Sequence, residues 1–582
     1  MRIFKPLFIV VNILLLTSSL YSLYGASYNI LSVTPLFFLN FPLLFLAILF
    51  NVITLILFNF TTRCNKILSI IVALTLYYIV LYLPFFSLKF SIYNDQLGFA
   101  IETFYGYITG YVAPYQGEYT TLGHAYFTTV LGKLLGLELY NVVKYEEAVF
   151  VFISFLTYLS FVIKFIKKRV TGGIANLLLA VATLLAFPSF ALEPLVYSRG
   201  YFGLILGIVL FMCTFTFIES RKISDSIIST IVFVSSSISY PLQPLILVFS
   251  MAMLIFISWF LGLLKKNMAY SKLKLLILKV LYFFVIWTSI QVFYGYGVWR
   301  VFHEIIFKVL QQEYFTALEY PALKYVGDAS VYINLRMIMM ASAWIISMFI
   351  ASILLLKILR LKVSSHVEQF ALSIMATILL LGAAYGVTYH EPAMRFYRTL
   401  VAVIPFALLS IGMPSIRTDI TKFSTNRSAL KKVLIASLLL TLSIFLILSP
   451  IIKWGWTFIG YPTISDVELA NYIAFHHMAS YGYVYAPGSH QLLDFIFKIN
   501  VLPPDEIKKE AIKGGGDFEF NLDKANSLKY TATFYRIYIL PRWTGKDVKA
   551  MLIRIYDFST SNNLIYSNGG LHLLVENRSS VR

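Results

Sequence analysis

The sequence predicts an all-α polytopic membrane protein with a small α/β domain at its C-terminal end. Three observations predict it. Of 582 residues, 59% are apolar and 13% charged, where an ordinary soluble domain carries about 25% charged residues. Apolar runs repeatedly reach the roughly 18 residues that cross a bilayer. The cations sit in the short loops between those runs. With a mean hydropathy of +0.78, a soluble enzyme, a disordered tail, a coiled coil and a disulfide scaffold are excluded.

The apolar runs place spans at 7–25, 36–58, 67–88, 147–165, 174–192, 201–219, 226–240, 242–264, 275–296, 335–356, 369–388, 397–414 and 432–453. That is about thirteen helices by the apolar-run rule. The first follows Arg2 and Lys5 and is read as a span, not a cleaved signal. Its run is long, and Tyr24-Gly25-Ala26 is a poor cleavage site. The stretch 226–264 is too long for one helix. Ser239-Tyr240-Pro241 and Pro244 break it, because proline interrupts the backbone ladder and restricts its predecessor.

Charge gives the topology. Lys and Arg number 47 and Asp and Glu 28, a net +19. The cations recur as Arg63 and Lys66, Lys167-Lys168-Arg169, Arg221-Lys222, Lys265-Lys266, Arg360 and Lys362, and Lys431-Lys432. With the N-terminus in the cytoplasm every one of these falls on the cytoplasmic side, as membrane insertion requires. No basic stripe with interleaved aromatics lies outside the spans, which argues against a nucleic-acid partner. The loops 89–146 and 297–334 fall outside, as does the tail 454–582, beyond a transmembrane domain of 1–453. The cysteines, Cys64 and Cys213, sit near cytoplasmic span ends, so no disulfide framework or zinc spacing is present. Low charge, abundant Tyr, Ile and Leu and the missing disulfides point to an archaeal or bacterial plasma membrane.

The tail changes character. Charges of both signs appear, with Pro503-Pro504 and Gly514-Gly515-Gly516. Asp466 to His477 reads as a helix. Tyr483-Val484-Tyr485, Tyr535 to Leu540 and Leu571 to Val575 read as strands. At roughly 130 residues the tail can hold its own core.

Chemistry concentrates in loop 89–146. Asp95 follows the third span closely, so its carboxylate lies near the membrane surface. There it caps the following helix, deprotonates an acceptor, or binds a divalent ion such as Mg²⁺ or Mn²⁺ through its oxygens. Glu102, Glu118 and His124 follow amid Tyr105-Gly106-Tyr107 and Gly110 to Tyr115. Residues 125–139 read as an amphipathic helix closing on Gly136 and lying in the interface. The tyrosines of the loop suit that same layer. Further on, Glu193 precedes Pro194 to Gly200, which contains Ser198-Arg199. His390-Glu391-Pro392 precedes Arg395 and Arg398, which fall three apart on one helix face. Guanidinium forks suit a phosphate, and an outward-facing arginine pair runs against the usual charge bias. The alternatives are an ion pair to Glu391 or Glu193, or a lipid headgroup contact. No phosphate-binding Gly-rich loop, dinucleotide fingerprint, His-Glu-x-x-His or Gly-x-Ser-x-Gly occurs.

An apolar span, an outward acid, a Gly-aromatic-Pro stretch and Leu131-Gly132-Lys133-Leu134-Leu135-Gly136 follow in that order. This order resembles the first outer loop of the class C glycosyltransferase superfamily. Those are polytopic enzymes that take a sugar from a polyprenyl-phosphate carrier. Pro194 to Gly200 is similar to their Ser-Arg segment, and Ser239-Tyr240-Pro241 stands where relatives have a His-Pro reversal. His390 to Arg398 with Pro405 looks like their Arg-rich turn. Ile565-Tyr566-Ser567-Asn568-Gly569 is similar to the ending of their outer domains. Four departures stand. Asn94 and Gln96 flank a single acid where many members keep a pair, the acidic pair that should follow the Ser-Arg segment is missing at Tyr201-Phe202-Gly203, the acidic loop follows the third span and not the first, and the Trp-Trp-Asp-Tyr-Gly signature is missing.

The resemblance implies a dolichyl- or other polyprenyl-phosphate sugar donor and inverting transfer to a protein, lipid or glycan acceptor on the outer face. Asp95 would be catalytic, and Arg395, Arg398 and Arg199 would hold the donor phosphate. Glu102, Glu118, His124, Glu193, His390 and Glu391 would be accessory. The competing expectations are a transporter or flippase of lipid-linked glycans, which needs charged residues near mid-span, and a non-enzymatic part of a surface assembly that docks through its tail.

Overall fold

The computed structural model of the chain describes residues 122–137, 199–265, 270–293, 331–360, 366–388, 484–485, 530–533, 548–568 and 572–576. It also describes helical positions between Phe396 and Ser410 and isolated residues elsewhere. The expected spans 7–25, 36–58, 67–88, 147–165, 174–192 and 432–453 lie largely or wholly outside these residues. So do residues 89–121 of the outer loop and the expected strand 535–540.

The described helices are Leu122–Leu135 (α1), Arg199–Ser220 (α2), Ile223–Ser239 (α3), Leu242–Lys265 (α4), Tyr270–Phe293 (α5), Val331–Arg360 (α6) and His366–Thr388 (α7). Within α2, α4, α5 and α6 the segments Phe202–Ser220, Leu242–Leu263, Lys274–Val292 and Ala341–Leu359 are long and apolar enough to cross a membrane. At 1.5 Å per residue, the 22 residues of α2 span about 33 Å, against a hydrocarbon core of about 30 Å. These four helices mark a membrane protein.

Water drives no association between helices in lipid, so close packing and satisfied polar groups must hold the bundle together. Both are visible. α2 and α3 form a hairpin closed by Arg221, which adopts a left-handed φ of 55° while its N–H donates to Phe217 O at 2.8 Å. The Ser220 hydroxyl donates to Asp225 across the turn, and Asp225 sits in the first turn of α3, where the helix dipole favours an acid. At the far end of α3, Tyr240 is extended (φ −159°, ψ 102°) and Pro241 starts the turn into α4, the backbone expected of a residue before proline. Trp287 of α5 pins this reversal, its Nε1 donating to Pro241 O at 3.0 Å. Phe233 of α3 and Phe283 of α5 stack at 4.1 Å, both fully buried.

The two ends of this bundle differ in charge. Arg221, Lys222, Lys265, Lys357 and Arg360 lie at or within a turn of the end where α2, α4 and α6 finish and α3, α5 and α7 begin. Lys357 of α6 pairs with Glu368 of α7 at 2.6 Å and donates to Ser410 O at 3.1 Å. Ser258 of α4 donates to Gln369 of α7 at 3.1 Å. Lys279 of α5 is buried against α3. Its Nζ donates to Ser226 O at 3.2 Å, Ser226 Oγ at 2.9 Å and Thr230 Oγ1 at 2.8 Å, and lies over the Phe217, Tyr282 and Phe283 rings.

α1 packs with its polar side inward. His124, Thr128 and Thr129 are buried, while Tyr126, Val130, Leu134 and Leu135 are exposed. Gly136 ends it with φ +60°, a conformation a side chain would disfavour. In the tail, four strands run in the order β1-β2-β4-β3: Val484–Tyr485 (β1), Tyr530–Thr533 (β2), Asn563–Asn568 (β3) and His572–Glu576 (β4). β1 and β2 are parallel and the other pairs antiparallel. Val548–Ser561 (α8) packs on β3, with Ile555 and Phe558 buried.

Candidate functional site

The site is built around the first turns of α2, at the end of the bundle opposite the cations. Arg199 is the first residue of that helix; its side chain lies outside the described residues. One turn on, Gly203 lies flat against Tyr240, and a Cβ built there would stand 2.3 Å from Tyr240 Cβ. A further turn on, Gly207 lies against Gln243, where the same atom would stand 2.8 Å from Gln243 Cγ. Two glycines one turn apart thus let α2 close on the reversal between α3 and α4. From the other side α1 meets the same stretch: the His124 ring stacks on Phe202 at 5.0 Å, and Phe127 on Phe202 at 5.4 Å.

Gln243 carries the contact to the last segment. Its Nε2 donates to Thr399 Oγ1 at 2.8 Å, and the Thr399 hydroxyl lies 3.3 Å from Gln243 Oε1. Both side chains are 1% exposed, so the pair is shielded from solvent and strong. Thr399 directly follows Arg398 and stands four residues after Arg395.

Below this pair runs an apolar cavity between α2, α4, α7 and the helical residues after Phe396. Leu204, Ile208, Ile374 and Val403 form its walls, and Gln243 and Thr399 are its polar residues. Its volume is roughly 40 Å³, where one water needs about 10–15 Å³. Phe215, Phe370 and Phe406 meet at its far end, with ring centroids 5.6 to 6.5 Å apart. From Leu204 to Phe215 the cavity follows α2 for about 16 Å. An apolar slot with polar groups at one end has the lining that suits a hydrocarbon chain with a polar head.

Of the residues singled out in sequence, His124 is described in full, and its ring is a buried packing surface for Phe202. Arg199 is described as backbone. Asp95, Glu102, Glu118, Glu193, His390, Glu391, Arg395 and Arg398 lie outside the described residues. The structure does bring together the segments that carry several of them: α1, the Arg199-Gly200 start of α2, the Tyr240-Pro241 reversal, and Thr399, which follows Arg398 in sequence. Sequence reading missed Gln243 and Thr399. A glutamine two residues after a span-breaking proline was the available signal. Among the described residues no group of three or more His, Cys, Asp or Glu could hold a metal ion; the divalent-ion option rests on Asp95 alone.

No protein-family description and no curated protein sequence matches this chain.

Proposed function

We propose that this chain is an integral membrane glycosyltransferase that moves a sugar from a polyprenyl-phosphate donor to an acceptor on the outer face of the plasma membrane. One observation carries the proposal. The segments bearing Arg199 and Arg398 meet, through Gly207, Gln243 and Thr399, at the polar end of an apolar cavity in the bundle. A lipid phosphate needs hydrocarbon walls for its chain and cations for its head, and in this reading the arginines of the two segments supply the cations. The charge asymmetry supports placing this end outside, since the positive-inside bias favours the cation-rich end as the cytoplasmic one.

In this reading the Asp95 carboxylate takes the proton of an acceptor hydroxyl or amide. The acceptor atom attacks the anomeric carbon as the bond from that carbon to the phosphate oxygen breaks. The polyprenyl phosphate leaves with the bonding pair, and its charge is held by Arg395, Arg398 and Arg199. A single displacement inverts the anomeric centre. The tail, with its four-stranded sheet, forms an outer α/β domain that holds a protein, lipid or glycan acceptor. Carrier chemistry is less favoured, because the described buried charges Lys279 and Glu368, with the half-buried Lys357, lie toward the end read as cytoplasmic and not at mid-span.

The test is transfer by the purified full chain from a panel of radiolabelled polyprenyl-phosphate hexoses. Asp95→Ala is expected to lower turnover by about 100- to 10,000-fold, and Arg398→Ala to raise the donor KM. Full transfer by Asp95→Ala would overturn the mechanism.

A further inference from the structure

We infer that Gln243 is a positioning residue that holds the arginine-bearing segment in register through Thr399. This deepens the donor-phosphate reading above and rests on it. The described helical residues after Phe396 also meet α2 and α7 through apolar side chains such as Val403 and Phe406, and Lys357 of α6 donates to the Ser410 carbonyl at their far end. Apolar contacts tolerate sliding, since neighbouring registers offer similar dispersion energy. The amide–hydroxyl pair does not. Moving Thr399 by one residue shifts it about 1.5 Å and turns it about 100°, which leaves two fully buried polar groups without each other. A single buried polar pair in an apolar interface is a known means of fixing helix register.

The same pair ties two arginine positions together. Gly207 admits Gln243 against α2, eight residues after Arg199, and Thr399 follows Arg398. Gln243 therefore sets the level of one arginine-bearing segment against the other. Three phosphate ligands drawn from two segments need that level fixed, because a misplacement of about 1 Å can cost about 100-fold. Nothing in this role requires Gln243 to touch the donor.

The experiment uses the full chain in detergent, with farnesyl phosphate as the probe and its Kd and the melting temperature as paired readouts. Thr399→Val leaves the Gln243 amide buried without its partner, so both readouts should worsen. The Gln243→Leu/Thr399→Val double variant makes both sides apolar, so the melting temperature should return toward wild type. Its Kd should stay about 10-fold or more above wild type, because the register is no longer fixed. Thr399→Ser keeps the hydroxyl and should restore the Kd. If the double variant regains wild-type affinity together with stability, Gln243 is a packing residue and the inference is overturned, while the donor reading stands. If wild type does not bind the probe, or if Arg398→Ala changes neither binding nor transfer, the donor reading falls and takes this assignment with it.

Discussion

The Lys357–Glu368 pair offers a sharp test of how this bundle handles charge. Lys357 Nζ lies 2.6 Å from Glu368 Oε1, with side-chain exposures of 17% and 3%. At that distance and an effective dielectric of about 20, the attraction is about 6 kcal/mol. Desolvation of two ions offsets much of it, so the pair as a whole contributes little net stability. Removing one partner is another matter, and the two sides are not equivalent. Lys357 stands three residues before the end of α6, about 5 Å of helix. Its long stem can carry the ammonium to the interface once Glu368 is gone. Glu368 has a short side chain, is nearly fully buried, and cannot follow. Lys357→Met is therefore expected to destabilise by about 3–5 kcal/mol. Glu368→Leu should cost only about 1–2 kcal/mol, since the freed cation is partly rehydrated. The double variant should fall within about 1 kcal/mol of wild type. Thermal unfolding of the full chain in detergent ranks the three. Equal losses from the single variants, or a double variant as poor as their sum, would refute this reasoning.

Two further outcomes follow from the same packing. Gly203→Ala puts a methyl where the built Cβ stands 2.3 Å from Tyr240 Cβ, and carbon contacts relax only near 3.5–4.0 Å. Because Tyr240 Cβ is anchored to backbone, α2 must move, with an expected loss of about 2–3 kcal/mol, read as a lower melting temperature. Lys279→Leu should shift stability by about 1 kcal/mol or less, because Thr230 already has the Ser226 carbonyl as an acceptor at 2.9 Å and a buried cation is no longer desolvated. Lys279→Glu should be far worse, at about 3 kcal/mol or more. It aims a carboxylate at the Ser226 carbonyl and at ring faces that favour a cation; comparable melting temperatures for the two variants would contradict this.

The helical hairpins were legible because a bilayer leaves few solutions. Long apolar runs must be helices, and the proline after Tyr240 had to break 226–264. The observed break falls at Tyr240–Pro241, and α4 covers Leu242–Lys265 against an expected 242–264. Gly136 closes α1 as expected, although α1 begins at Leu122, three residues early. The tail was harder. Val484–Tyr485 and His572–Glu576 match expected strands, while Tyr530–Thr533, Asn563–Asn568 and the helix Val548–Ser561 were not expected. The short Tyr-Thr-Ala-Thr strand carries no clear alternation. Its pairing with β4 comes from a partner more than forty residues away, which local pattern cannot reveal. The Gln243–Thr399 contact spans 156 residues and was hidden for the same reason: nothing in either helix announces its partner. Asp95, Arg395 and Arg398 were chosen by charge placement and resemblance, and the geometry bears on them only through their neighbours.

The most direct measurement is a cryo-EM structure of the full chain with a polyprenyl phosphate bound. The phosphate is expected within hydrogen-bonding distance of Arg395 and Arg398, near the Gln243–Thr399 end of the cavity, with the first isoprene units directed toward Phe215, Phe370 and Phe406. Asp95 should face it across roughly 5–8 Å, about the width of a sugar flanked by its catalytic groups. A phosphate bound elsewhere, with Asp95 and the two arginines on separate surfaces, would contradict the transferase assignment and favour transport or assembly.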